Sequence, residues 1–148
     1  MIERIINDGQ MLALIIRAQF HKEGIEFFTP DNFSQQVGYM NRPLGYVIPP
    51  HVHNEVTRQV HFTKEVLYIK TGRVRVDFYD DGQNYLESRI LAQGDVVLLA
   101  FGGHGFEMLE KSEMIEVKQG PYAGESDKTR FEPIPADQVK IIHDNVQQ

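Results

Sequence analysis

The sequence predicts an all-β protein, an antiparallel sandwich or barrel. Three observations point there. The segment Arg73–Tyr79 alternates apolar with mostly polar residues, the pattern of a half-buried strand. Turn signals recur at short intervals along the chain. Helical periodicity is weak throughout.

Taken in order, Asn7-Asp8-Gly9 reads as a hairpin turn between Ile5-Ile6 and the apolar residues 11–16. Thr29-Pro30-Asp31 is placed to start a turn of helix, which Gly38 closes soon after. Residues 46–48 and 66–69 are short strand candidates. The strand at 73–79 is followed by Asp80-Asp81-Gly82, a second hairpin turn. Residues 96–101 are almost wholly apolar between Gly94-Asp95 and Gly102-Gly103, as a strand in a sandwich core is. Residues 114–119 form another strand, stopped by Gly120-Pro121. The charged stretch 120–132 reads as a surface excursion. Residues 136–142 fit a last helical turn or an edge strand.

Length and charge narrow the function. A chain of 148 residues makes one domain. Its net charge is −6 and it has no Lys/Arg run, which argues against a nucleic-acid or anionic-membrane partner. There is no cysteine, so disulfides, thiolate metal sites and a cysteine nucleophile are excluded. The first residues do not have the pattern of a secretion signal. The longest apolar stretch, 11–16, falls far short of the ~20 residues of a membrane span. The expectation is a soluble, cytoplasmic protein. Residues 11–16 are also more apolar than an exposed edge strand should be, and a second subunit or the chain's own sheet would cover them. A two-fold homodimer is expected.

Six histidines occur, and His51, His53 and His104 stand out by position. In a strand, residues two apart face the same way, so the imidazoles of His51 and His53 are spaced to share one metal ion. Glu65 opens the next strand, and His104 follows the apolar strand 96–101 through Gly102-Gly103. If residues 60–64 lengthen that next strand, His61 shares a face with Glu65. His61 then competes as a ligand, and otherwise is a pocket-wall or exposed residue. His21 and His143 read as solvated.

This order resembles the cupin superfamily over about residues 40–118. The first cupin motif, a Gly, five residues, His-x-His, a Glu, six residues and a Gly, is matched by Gly45, His51, His53, Glu65 and Gly72. Eleven residues separate His53 from Glu65, where the motif has three or four. In the second motif Gly94 and Gly102 match. Ala100 replaces a Pro, His104 comes one residue early, and Met108 stands where an Asn would be. The resemblance implies a cupin-type double-stranded β-helix, or jelly-roll, as a single domain over 1–148. It also implies His51, His53, Glu65 and His104 as ligands of one divalent metal ion. A mixed imidazole and carboxylate set suits Zn, Fe(II), Mn or Ni.

Strand parity groups His104 with Phe106 and Met108, Glu65 with Leu67 and Ile69, and Val47 and Pro49 with His51 and His53. These apolar residues read as core or as the wall of a small-molecule pocket. Arg42, Arg58 and Lys64 are placed to hold an anionic substrate or to be solvated surface charges. Tyr46 and Tyr68 read as wall or dimer-facing, and alternation turns Glu107 away from His104. The favoured function is isomerisation or epimerisation of a sugar or sugar-nucleotide derivative. The chain is distantly similar to the cupin-type nucleotide-sugar ketoisomerases, which share His-x-His and a turn like Asp80-Asp81-Gly82. That similarity implies His51 and His53 as an acid–base pair. The alternatives are a non-catalytic module that binds a sugar or a carboxylate, and an Fe(II) dioxygenase.

Overall fold

A computed structural model describes residues 1–143; residues 144–148 of the predicted single domain lie outside the described residues. Among the described residues the regular structure is almost all antiparallel β-strand. Its strands are β1 (Ile2–Asn7), β2 (Gln10–Ile16), β3 (Gly24–Phe27), β4 (Gly38–Asn41), β5 (Glu65–Thr71), β6 (Arg73–Tyr79), β7 (Tyr85–Ala92), β8 (Val96–Leu99), β9 (Gly103–Met108) and β10 (Glu113–Lys118). Five strands form one sheet in the order β1-β2-β8-β5-β10, three form a second in the order β7-β6-β9, and β3 and β4 pair separately.

The hairpins follow local chemistry. Asp8 and Gly9 both have positive φ, as the twist of a two-residue hairpin demands, and β1 pairs with β2 from Ile2↔Ile16 to Asn7↔Gln10. At the second hairpin the Asp80 carboxylate accepts the backbone N–H of Asn84 at 2.8 Å, and β6 pairs with β7 up to Tyr79↔Tyr85.

Two apolar layers hold the sandwich. Leu12, Ile15, Leu67, Ile69 and Val97 of the large sheet meet Val74, Val76, Phe78 and Leu91 of the small one. On the other face of the large sheet, Leu14, Ile16 and Leu98 pack under Phe28 and Val37, with Phe20, Phe33 and Tyr39 beside them. Strand β2 feeds both layers, which explains its unbroken apolar run. Of the two covers expected for residues 11–16, a second subunit or the chain's own sheet, the structure has the second. These residues lie inside the large sheet between β1 and β8, and the chain's own strands cover them.

One end of the sandwich is tied by charge. The Arg17 guanidinium bridges the carboxylates of Glu3 and Asp95 and donates to the Ile90 carbonyl at 2.7 Å. Asp95 also accepts the backbone N–H groups of Ala18 and Ala92, at 2.8 and 3.0 Å.

Three expectations need correction. Residues 46–48 are not a strand. The whole stretch 42–64 lacks regular structure, and β5 begins only at Glu65, so residues 60–64 do not lengthen it. Pro43, Pro49 and Pro50 have no N–H to give to a ladder, which breaks the pairing a strand would need. Residues 29–31 form turns without a helix. Residues 136–142 divide between the two readings. A single 3-10 turn spans Ala136–Gln138, and Ile141 then bridges Ser88 in parallel. Among the described residues no helix is long and apolar enough to cross a membrane.

Candidate functional site

Strand register decides which predicted residues meet. On β5, Leu67 and Ile69 point into the inner core, and Glu65 lies two residues before Leu67 on the same face. On β9, His104 is the partner of Phe78, and Phe78 is a core residue, so the imidazole faces inward from the opposite sheet. The two side chains meet across the sandwich, His104 Nε2 lying 3.0 Å from Glu65 Oε2. A carboxylate accepts, so Nε2 carries the proton and Nδ1 of a neutral ring carries the lone pair.

Both residues line a cavity of about 740 Å³. The cavity opens where the small sheet ends at β9. Phe62, Phe101, Phe106, Phe131 and Tyr79 give it an aromatic wall. Its charged lining comprises, apart from His104, five carboxylates (Glu65, Asp77, Asp81, Glu107, Asp127) and three cations (Arg75, Lys128, Arg130), a balance of −2. Arg75 is already bound to Asp77 at 2.8 Å and to Glu107 at 2.6 Å. The excursion 120–132 bends over this opening, and Asp127 accepts a hydrogen bond from the Thr63 hydroxyl at 2.6 Å.

The hydrogen bond from His104 holds the Glu65 carboxyl below the usual carboxylate range. Burial opposes this, and the charges of His104, Lys118 and Lys128 add to it. A depressed value in the folded state means that the pair stabilises the fold fully above the ordinary glutamate pKa of about 4.3. That contribution is lost as the pH falls through the lower folded value. Glu65→Gln is therefore expected to flatten the acid limb of stability. The check is the urea midpoint of both proteins between pH 3 and 6, and identical slopes would reject the coupling.

The other predicted residues lie elsewhere. His51 and His53 are exposed in the irregular stretch, their rings 5.4 Å apart, and neither lines the cavity. The Nδ1–H of His51 donates to the Pro49 carbonyl at 3.0 Å. Their common face was expected from a strand that does not form. His61 is likewise exposed and outside the lining. Among the described residues no group of three or more His, Cys, Asp or Glu side chains converges to hold an ion. The four residues that the cupin resemblance implies as metal ligands do not fit one centre as they stand, since His51 and His53 lie outside the cavity that Glu65 and His104 line.

The three candidate anion-holding cations are also absent from the lining. Arg42 stacks over the Tyr46 ring at 4.6 Å, and Arg58 donates to the Val56 carbonyl at 3.4 Å. Lys64 is buried with its ammonium 4.7 Å from the Phe101 ring, and desolvation lowers its pKa. Glu107 faces Arg75 as alternation predicts. Leu67 and Ile69 are core, whereas Phe106 and Met108 are 37% and 45% exposed.

Sequence reading missed Phe131, Asp127 and Lys128. The one available signal was a lone phenylalanine inside an otherwise polar excursion. Set against family models, curated proteins and solved structures, the chain finds no match in any of the three.

Proposed function

We propose that this chain is a cupin-type jelly-roll whose cavity isomerises or epimerises a sugar derivative that carries no phosphate. The observation that carries the reading is the 3.0 Å His104–Glu65 pair at the wall of the 740 Å³ cavity. A His–carboxylate pair is an acid–base unit. The carboxylate orients the ring and stabilises its protonated form, while Nδ1 takes a proton from carbon next to a carbonyl and returns it. The aromatic wall suits the apolar faces of a sugar ring, and the carboxylates suit its hydroxyl or amino groups. A net negative lining favours a sugar without phosphate over a sugar nucleotide.

The test is solvent exchange. The protein is incubated in deuterated water with neutral aldoses and ketoses, glucosamine and glucose 6-phosphate, and proton NMR follows deuterium entering beside the carbonyl. Exchange is expected with a neutral or amino sugar, and Glu65→Gln should slow it ~10²–10⁴-fold. Binding without exchange in any member would overturn catalysis in favour of a binding module. Exchange confined to glucose 6-phosphate would overturn the substrate class.

A further inference from the structure

The cavity is not confined to the space between the sheets. Where β6 pairs with β9, Val76 and Phe78 oppose Phe106 and His104, and these side chains face inward. The residues between them face the other way: Arg75 opposes Glu107, Asp77 opposes Gly105, and Tyr79 opposes Gly103. Both sets line the same cavity, His104 and Phe106 from the inner face, Arg75, Asp77, Tyr79 and Glu107 from the outer. Strand β9 is the outermost of the small sheet, and the cavity wraps its edge. It therefore has an inner lobe at Glu65 and His104 and an outer lobe on the far side of the sheet.

The acid–base pair does not use the outer lobe, yet its surface is well defined. Gly105 forms the floor: a Cβ there would meet only the Tyr79 ring, at 4.0 Å, so the sheet lies bare. Toward Gly103 stands Phe131, so close that a Cβ on Gly103 would come within 2.9 Å of its ring. Tyr79 meets Phe131 edge-on, with ring centres 5.0 Å apart. Toward Glu107 stands Arg75, forked onto Asp77 at 2.8 and 3.0 Å and bound to Glu107 at 2.6 Å. Two carboxylates thus occupy the guanidinium, which leaves it no open fork for an anion. The carboxylates keep lone pairs for hydroxyl donors. An aromatic side, a bare floor and hydroxyl acceptors suit an uncharged, hydroxylated ring.

We infer that the substrate is a reducing disaccharide, its reducing-end ring at Glu65 and His104 in the inner lobe and its second ring over Gly105 in the outer lobe. The inference rests on the sugar reading of the cavity. The two lobes form one space of about 740 Å³, within the range of sites that enclose a drug-sized molecule and more than one sugar ring fills. Proton movement beside a carbonyl involves the reducing end alone, so the outer lobe meets a ring that does not react. Contacts to such a remote ring hold the reacting end in place against the imidazole.

NMR titration compares glucose with cellobiose, maltose and lactose, which all carry glucose at the reducing end. At least one disaccharide is expected to bind ~tenfold or more tighter than glucose, and to shift the ring signals of Phe131, which glucose leaves in place. In Gly105→Ile the new side chain fills the outer floor, and the advantage over glucose should disappear. That variant should fold, because Gly105 has no positive φ and open space above it. Its urea midpoint checks this, and the Phe131 signals of the unaltered protein decide the matter without it. Disaccharides bound no tighter than glucose would overturn the inference, as would an advantage that survives in folded Gly105→Ile. Failure of all four sugars to bind would overturn it too, while the sugar reading itself stands or falls by the deuterium exchange above.

Discussion

Replacing Phe78 with Ala is expected to remove about 3–5 kcal/mol of stability, the range for a fully buried phenylalanine. The ring is 1% exposed and sits where both sheets meet, among the apolar residues of β2, β5 and β8. Few neighbours can collapse into the space, because the strands around it are fixed by hydrogen bonds on both sides. With a urea dependence of ~1–3 kcal/mol per molar, the unfolding midpoint should fall by about 2 M. Phe106→Ala, two residues from His104 and 37% exposed, is the comparison and should cost far less. Equal losses in the two variants would contradict the placement of the core.

The second large effect is expected at Arg17. Arg17→Met leaves Glu3 and Asp95, 4% and 3% exposed, without the guanidinium they share. Taking one partner from a buried ionic group costs ~3–5 kcal/mol, since the remaining charge keeps its desolvation penalty. Arg89 also reaches Glu3, at 3.4 Å, so Asp95 is the more exposed to the loss. Adding Glu3→Gln to Arg17→Met should recover part of the stability, because a neutral amide is cheaper to bury than a lone carboxylate, whereas Asp95 needs both its oxygens for the N–H groups of Ala18 and Ala92. Chemical unfolding of both variants checks this, and a combined variant weaker than Arg17→Met would reject the charge explanation.

The reading of the sequence succeeded where structure is local. Asn7-Asp8-Gly9 and Asp80-Asp81-Gly82 mark their hairpins because a tight turn depends only on the residues within it. Residues 11–16 were legible as a strand, but their apolarity says only that both faces are covered, and what covers them depends on distant β8 and on Phe28 and Val37. Glu65 and His104 face each other as strand parity and the resemblance to cupins suggested. His51 and His53 did not follow. Their shared face presupposes a paired strand, and pairing is a property of the partner as much as of the segment. Phe131 was illegible for the same reason: its contact with Tyr79, at 5.0 Å between ring centres, joins residues 52 apart in sequence (131 − 79).

Glu65 rides on the large sheet and His104 on the small one, and packed sheets stand about 10 Å apart. The 3.0 Å contact is thus a ruler laid across the sandwich. Any guest that wedges the layers apart by half an ångström lengthens it beyond a good hydrogen bond and strips the imidazole of its proton partner. A guest that draws them together tightens the same bond. The nitrogen resonance of one side chain, His104, consequently reads out the breathing of the whole molecule.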